Sequence, residues 1–186
     1  MHIMNGHHLI LGEISDLVSG QVVEDTLDER YRQQVAHRLI HQLGYAKKDI
    51  GVRVPLHVSA GERSARLYID FVIRLADRAA MLIKYGPGSL VTRRRSALAA
   101  SRLVDPYQIP VVVVTNGVGA EVLDGETGDI IAQGLDGIPA KDELIQQMAL
   151  RGPALLTGER KAMENRIIYA FEVDDSCPCD DTICRL

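Results

Sequence analysis

The sequence predicts an α/β protein built on a mixed β-sheet flanked by helices, and three observations support this prediction. Apolar residues alternate with polar ones over residues 52–58, which is the period of a half-buried strand. The fully apolar run from Ile109 to Val114 is typical of a strand that is buried on both faces. Ahead of both segments, apolar residues recur at the spacing of an amphipathic helix. Helices and strands in this order form a single layered domain.

The first clear element is a helix from about Asp25 to Leu43, preceded by residues of mixed character. Thr26 followed by Glu29 matches a capping box, and Gly44 supplies the C-terminal stop. The apolar stripe of this helix consists of Val35, Ala36, Leu39, Ile40 and Leu43.

Three antiparallel strands are predicted next. The first runs over residues 52–58, and Pro55 favours a position at the sheet edge because proline cannot donate to the ladder. The third runs from Ala79 to Tyr85, after a turn near residues 76–78. In the second strand we expect one face to carry Leu67, Ile69, Phe71 and Ile73, and the other to carry Tyr68, Asp70 and Val72.

The remaining elements complete one domain. Gly86-Pro87-Gly88 ends the third strand, and Ser89 is predicted to cap a helix that reaches about Val104. The apolar strand at 109–114, a hairpin of residues 121–124 and 129–132, and helices at 141–150 and 159–170 follow. We expect a single domain over residues 1–186, with a core at about 15–139, a helical C-terminal extension at about 140–173 and a cysteine-containing tail at 174–186.

The composition limits the classes of function. The chain has 186 residues, of which 46% are apolar and 25% charged, as in ordinary globular proteins. With neither a membrane-length apolar run nor a signal-peptide pattern, we expect a cytoplasmic protein that does not engage membranes. The net charge of −4 gives no general attraction to nucleic acid, so nucleic-acid binding requires a local basic patch. Aromatic residues, at 4%, are too few for a broad base-stacking platform.

Two charged residues stand in predicted strands where apolar neighbours surround them. Asp70 lies in the middle of the second strand, and Lys84 ends the apolar run of the third. Metal-dependent phosphodiester cleavage needs carboxylates to hold a divalent cation and usually a lysine near the attacking water. An Asp on one strand and an acid-x-Lys on the next would supply these groups, but position 82 is Leu82 instead of an acid.

Five segments follow one another in a specific order and spacing along the chain. They are Asp28-Glu29-Arg30-Tyr31-Arg32-Gln33, Gly44-Tyr45, Ile69-Asp70-Phe71, Leu82-Ile83-Lys84 and Val111-Val112-Val113-Val114-Thr115-Asn116-Gly117. With these segments, the order helix–β–β–β–helix–β resembles the restriction-endonuclease-like (PD-(D/E)XK) core. More closely, from about Ser15 to Pro139 the chain resembles the N-terminal domain of type I restriction enzyme R subunits and small bacterial proteins related to it.

The resemblance implies a catalytic role for Asp70, Lys84 and Glu29. Asp70, Glu29 and the backbone carbonyl of Ile83 would be ligands of Mg²⁺, and Lys84 would assist the attacking water of a metal-dependent endonuclease. Leu82 departs from the pattern, so an inactive site is the other outcome. The alternative for Asp70 and Lys84 is a structural ion pair across adjacent strands. For Glu29 it is the capping box with Thr26.

A cluster of arginines is the candidate nucleic-acid contact. Arg93, Arg94 and Arg95 open the second predicted helix, and Arg102 lies behind them. Arginine side chains form charge-assisted hydrogen bonds with phosphate groups, so DNA is the expected partner. The alternative is a solvated helix face.

The three cysteines, Cys177, Cys179 and Cys184, all lie in the final tail. A reduced or unpaired tail, a Zn²⁺ site with a fourth ligand from elsewhere, and redox exchange are all open. We therefore hold two functional hypotheses. The first is a nucleic-acid-associated, nuclease-like protein with a degenerate site, acting as a homo-oligomer or beside a restriction-modification partner. The second is a non-catalytic interaction or scaffold module with a metal-binding cysteine tail.

Overall fold

The computed structural model describes residues 9–174 and the backbone of residues 184–185. It confirms a mixed α/β architecture with helices on both sides of a sheet. No helix in the described part of the chain is long and apolar enough to cross a membrane. The elements in chain order are β1 (Glu13–Ser15), β2 (Val22–Glu24), α1 (Leu27–His41), β3 (Ile50–Ala60), β4 (Arg63–Leu75), β5 (Arg78–Tyr85), α2 (Val91–Ser101), β6 (Val111–Thr115), β7 (Ala120–Asp124), β8 (Ile130–Gln133), α3 (Lys141–Leu150), α4 (Gly158–Ile168), a π-helical turn (Tyr169–Asp174) and β9 (Cys184–Arg185).

The main sheet has the strand order β3-β4-β5-β6-β7-β8, and β9 pairs with β4 beside this path. β5 and β6 are parallel, with α2 as the connection between them, and all other pairs are antiparallel. The sheet is therefore mixed, as the sequence predicts. Since β3 is the first strand of the order, the expectation from Pro55 of an edge strand is confirmed.

The sheet separates two apolar clusters. On one side, which we call the α2/α4 side, sheet residues pack with Ala97 of α2 and Ile168 of α4. On the other, the α1/α3 side, they pack with Leu39 of α1 and Leu144 of α3. Each helix layer thus covers its own face of the sheet, and both faces are buried.

Strands β3 and β4 change faces at Arg53 and Asp70. Leu67 and Ile69 pack on the α2/α4 side, whereas Phe71 and Ile73 pack on the α1/α3 side. The expectation that these four residues share one face is therefore wrong. The cause is a local break in the two-residue alternation, because Arg53 on the paired strand has a φ of 47°.

Two further predictions are corrected at the element ends. The residues before α1 form the β1–β2 hairpin, which the sequence did not reveal. Helix α2 begins at Val91 with Leu90 as its N-cap and no side-chain cap, so Ser89 does not cap it. The same helix ends at Ser101, before the expected Val104.

Asp16, in the loop of the β1–β2 hairpin, joins that hairpin to the domain. Its carboxylate accepts hydrogen bonds from the Ser19 amide (2.7 Å) and from Gln33 Nε2 of α1 (3.0 Å). Arg53 Nη1 of β3 lies 3.3 Å away. Burial opposes the charge of Asp16, but these hydrogen bonds and the Arg53 charge outweigh it and hold its pKa below the ordinary value of 3.8.

We expect Asp16→Asn to weaken the acid sensitivity of folding. Because the folded-state pKa of Asp16 is lowered, its stabilising contribution is complete above pH 3.8 and disappears as the pH falls through the folded-state pKa. Urea unfolding between about pH 5 and pH 2 should show a smaller loss of unfolding free energy for the variant than for the wild type. Asp129→Asn, at an exposed aspartate, is the control. Equal acid dependence in the Asp16→Asn and wild-type proteins would contradict the assignment.

Candidate functional site

The end of β5 presents alternate residues to opposite sides of the sheet. Leu82 is fully buried on the α2/α4 side, and Ile83 is fully buried on the α1/α3 side. By the same alternation Lys84 belongs to the α2/α4 side and Tyr85 to the α1/α3 side. The position predicted to need an acid is therefore a core position packed between Val72 and Val112 on neighbouring strands.

Asp70 lies at the α1 side of the sheet, where β4 changes faces. Its Oδ1 accepts a hydrogen bond from Arg32 Nε of α1 at 2.6 Å. Its Oδ2 accepts from the backbone amide of Tyr85 at 2.8 Å. These two bonds hold the carboxylate close to the surface, where one-tenth of its side chain is exposed.

Glu29 points inward, although its backbone takes part in the cap of α1. Its amide donates to Thr26 Oγ1 at 3.1 Å, which confirms Thr26 as the N-cap. Its carboxylate accepts from Gln33 Nε2 at 2.7 Å and contacts Arg53 Nη2 at 2.7 Å. The side chain is therefore bound to α1 and β3 on the sheet side of the helix.

Arg32 joins the two carboxylates. In addition to its bond with Asp70, its Nη1 lies 3.7 Å from Glu29 Oε2. Its guanidinium carbon lies 5.0 Å from the centre of the Tyr85 ring, within cation–π distance. Burial opposes the charge, but the carboxylates, Asp70 first among them, hold the pKa of Arg32 above its usual value. Arg32 is thus a permanent cation at this site.

Tyr85 closes the same site from β5. Its hydroxyl donates to Asp28 Oδ1 at 2.9 Å, and its ring stacks on Tyr31 with centroids 6.1 Å apart. Burial, together with the hydrogen bond to Asp28, raises the pKa of Tyr85 far above its usual value. The phenol therefore remains protonated and acts as a donor.

Lys84 is held on the other side of the sheet by the C-terminal part of the chain. Its Nζ donates to Glu172 Oε2 of the π-helical turn at 2.8 Å, and only about a tenth of either side chain is exposed. Asp70 and Lys84 thus have different partners, and the alternative of an ion pair between them does not describe their contacts. Nothing in the sequence near Lys84 indicates Glu172 as its partner, because the two residues are 88 positions apart.

The carboxylates of this site do not fit a divalent cation in the present arrangement. Mg²⁺ needs near-octahedral oxygen ligands, whereas the oxygens of Glu29 and Asp70 are occupied by N–H donors. In the part of the chain that the structure describes, no group of three His, Cys, Asp or Glu side chains is arranged to hold a metal ion. The role of the Ile83 carbonyl as a ligand stays a prediction.

Three of the four candidate nucleic-acid arginines are bound to carboxylates. Arg94 forms two hydrogen bonds of 2.5 Å with Glu121. Arg102 is buried and lies 2.8 Å from Glu164, and Arg95 lies 3.4 Å from the same carboxylate. Arg94 thus has a carboxylate of its own, whereas Arg95 and Arg102 share the single negative charge of Glu164.

Arg93 differs from the other three. Among the described residues it has no carboxylate partner, and its Nε is buried without a hydrogen-bond partner. A Cβ added at Gly86, the residue after Tyr85, would lie 2.9 Å from this Nε. The Arg93 guanidinium therefore lies beside Gly86, directly after the end of β5.

Gly117, in the turn after β6, allows Tyr31 to approach the site. It has a φ of +84°, and an added Cβ would lie 2.7 Å from Tyr31 Cγ. We expect Gly117→Ala to lower the unfolding free energy by about 2 kcal/mol. Alanine is strained in the left-handed backbone region, and its methyl group would displace the Tyr31 ring. Urea unfolding should show a larger loss than for Gly61→Ala, because Gly61 has a φ of +66° but no neighbour within 4 Å. Equal losses in the two variants would show that the Tyr31 contact is unimportant.

The side chains of the cysteine tail lie outside the described residues. Cys177 and Cys179 lie outside the described residues, and only the backbone of Cys184 is described, in β9 beside Arg66. The zinc site predicted for these cysteines thus stays a prediction.

Comparison with known proteins gives one finding. The model of a family described as type I restriction enzyme R protein N terminus matches residues 27–139. The matched segment runs from α1 to the residues before α3, and it contains Glu29, Arg32, Asp70 and Tyr85. No curated protein and no solved structure gives a match.

Proposed function

Since this chain belongs to the family of type I restriction enzyme R protein N termini, we propose that it is a nucleic-acid-associated domain that binds DNA without cleaving it. We further propose that its sheet and flanking helices are a PD-(D/E)XK nuclease-like core whose catalytic groups have been replaced. The two parts of the proposal rest on different residues and are tested separately.

The observation that carries the non-cleaving part is the character of the β5 residues on the α1/α3 side. Hydrolysis of a phosphodiester needs metal-binding carboxylates and a cationic group near the attacked phosphate. On this side β5 offers Ile83, which is fully buried, and Tyr85, which is bonded to Asp28. Neither supplies a carboxylate or an amine beside Asp70. Lys84, the residue expected to assist the attacking water, is bound to Glu172.

The DNA-binding part rests on Arg93. An arginine at the first turn of α2 that has no carboxylate partner within the described residues is suited to phosphate, because the helix N-terminus adds its own preference for anions. Arg94 contributes less to such contact because Glu121 pairs with it, and Arg102 contributes less because it is buried. Arg95 is partly exposed and shares the charge of Glu164 with two other arginines, so it retains part of its positive charge.

DNA binding is tested by fluorescence anisotropy with labelled duplex and single-stranded oligonucleotides at low salt. We expect Arg93→Ala to weaken binding about 3- to 10-fold, as for the loss of one phosphate contact. Arg166→Ala, which removes the same charge from an exposed position on α4, is the matched control. Absence of binding by the wild type, or equal weakening by both variants, would contradict the DNA-binding part.

Cleavage is tested separately on supercoiled plasmid and single-stranded DNA with Mg²⁺ or Mn²⁺. We expect no nicking by the wild type above the level of Asp70→Ala. Metal-dependent cleavage that Asp70→Ala abolishes would overturn the non-cleaving part and restore the metal-dependent endonuclease that the sequence resemblance implies.

A further inference from the structure

We propose that a surface cavity between α4 and the β3–β4 turn binds a phosphorylated molecule through its phosphomonoester group. The cavity has a volume of about 540 Å³, which is enough for a ligand of metabolite size. None of the residues that line it belongs to the candidate site of Glu29, Asp70 and Tyr85. The inference therefore goes beyond the proposed function and is tested without it.

The α4 wall of the cavity carries two cations on one helical stripe. This wall consists of Lys161, Ala162, Asn165 and Arg166. At about 100° per residue, the two cations lie at the margins of the stripe, and the two shorter side chains lie between them. Asn165 joins this wall to the sheet, because its Oδ1 accepts from the Ser59 amide of β3 at 3.1 Å and its Nδ2 donates to the Lys161 carbonyl at 3.0 Å. The two walls are thus connected before any ligand binds.

The two cations of the cavity differ from the neighbouring cations in their lack of a counter-charge. Arg160, next to Lys161 in the chain, lies 2.8 Å from Glu164 Oε1. Arg63, which follows the β3–β4 turn, lies 2.9 Å from Asp174 Oδ1. Among the residues that the structure describes, neither cation of the cavity has a carboxylate partner, and no acid lines the cavity. The cavity therefore presents two positive charges that the described fold does not pair.

Two glycines line the same cavity and leave space in it. Gly61 has a φ of +66°, so the turn itself requires glycine there. Gly158, the first residue of α4, has no left-handed φ, and an added Cβ would have no neighbour within 4 Å. Neither backbone nor packing therefore requires glycine at Gly158. Glu62 and Glu159 follow these glycines in the chain but do not line the cavity.

Two neighbouring positive charges suit a dianion better than a monoanion. A phosphomonoester carries a charge of about −1.5 to −2 at pH 7 and offers three acceptor oxygens, whereas each phosphodiester of DNA carries a single negative charge. Lys161 and Arg166 would donate charge-assisted hydrogen bonds, and the hydroxyl of Ser59 is a further donor in the lining. An oligonucleotide without a terminal phosphate has no dianion to offer, so Arg166→Ala should leave its binding unchanged.

The test titrates the full, ¹⁵N-labelled chain with phenyl phosphate, and methyl phenyl phosphate is the matched diester. Binding is followed through the amide signals of Gly61 and Gly158 at constant ionic strength, because salt screens such contacts. We expect the wild type to bind phenyl phosphate saturably and at least about 10-fold more tightly than the diester. Lys161→Met should raise the Kd at least about 10-fold, as for the loss of one charge-assisted hydrogen bond. Lys47→Met, which removes an exposed charge ahead of β3, should leave the Kd unchanged.

Substitutions at Ala162 test the site without removing either cation. Ala162 is exposed and lies between Lys161 and Arg166 on the stripe, so a longer side chain there does not disturb the core. We expect Ala162→Glu to abolish binding, because its carboxylate would pair with the two cations. Ala162→Gln has the same size without the charge and should bind within about 3-fold of the wild type, since an exposed neutral change has little effect.

The outcomes that overturn the inference are distinct. They are absence of saturable binding by the wild type, equal Kd values for monoester and diester, equal weakening by Lys47→Met and Lys161→Met, and equal binding by Ala162→Glu and Ala162→Gln. None of these variants changes Arg93 or Asp70, so such a failure leaves the proposed function standing.

A short oligonucleotide with and without a 5′ phosphate distinguishes two sources of the phosphomonoester. Tighter binding of the phosphorylated strand, lost in Lys161→Met, supports the site and identifies nucleic-acid ends as a source. Equal binding of the two strands by a protein that binds phenyl phosphate supports the site for small phosphate esters alone.

Discussion

Replacement of Glu164 by glutamine is expected to lower the free energy of unfolding by about 3–5 kcal/mol, because it leaves the buried Arg102 without its counter-charge. Glu164 on α4 is fully buried. Its Oε1 lies 2.8 Å from Arg102 Nη1 and 2.8 Å from Arg160 Nε, and Arg95 lies 3.4 Å from its Oε2. Arg102 is itself nearly inaccessible, with 5% of its side chain exposed. Glutamine keeps the shape of the side chain and removes only its charge.

Urea unfolding measures this loss, and Glu159→Gln is the matched control. Glu159 lies on the same helix and is exposed, so its substitution should change the unfolding free energy by less than about 0.5 kcal/mol. Equal losses of unfolding free energy for the two substitutions would show that the ion pairs of Glu164 do not stabilise the fold.

Gly125→Ala is expected to lower the unfolding free energy by about 3 kcal/mol, since the new methyl group would overlap backbone. A Cβ at this position would overlap the carbonyl oxygen of Ile109 and lie 3.1 Å from the carbonyl carbons of Ile109 and Pro110. The backbone atoms of Ile109 and Pro110, which lead directly into β6, cannot move aside as a flexible side chain can. The Gly125 carbonyl also accepts from Arg102 and Gln108, so a displaced loop would disturb these bonds as well.

Urea unfolding of Gly125→Ala should be compared with that of Gly152→Ala. Gly152 has no neighbour within 4 Å of an added Cβ, so it controls for the general effect of a methyl group on backbone entropy. A loss for Gly125→Ala no greater than that of the control would mean that the loop relaxes without cost.

The predictable part of the fold came from local signals. The Thr26 cap places the start of α1, Pro55 indicates the edge strand, and the apolar run ending at Val114 indicates the buried strand. Each signal lies within a few residues of the element it defines. The mixed sheet follows from the order of these elements.

The candidate site was only partly predictable, because its geometry depends on which side of the sheet each residue faces. Asp70 and Glu29 do meet, through Arg32, and the helical spacing of Glu29 allowed for this. Successive residues of a strand face opposite sides of the sheet, so an error of one residue in the register exchanges the two sides. The residues near Lys84 therefore do not indicate whether Lys84 or Tyr85 faces the α1/α3 side. The change of faces at Arg53 depends on a left-handed residue that is not glycine, which sequence rules seldom anticipate.

The ion pairs of the C-terminal segment have a consequence for how this protein should be divided. Residues 27–139 match the family model, yet Lys84 and Arg102 within them are paired with Glu172 and Glu164 from beyond residue 139. A fragment that ends at residue 139 would lack α4 and the π-helical turn. Lys84 and Arg102 would then lose these carboxylate partners, and the α2/α4 side of the sheet would lose part of its apolar cover. We therefore expect that a fragment of this chain must extend at least through the π-helical turn to fold intact, beyond the end of the segment that the family model matches.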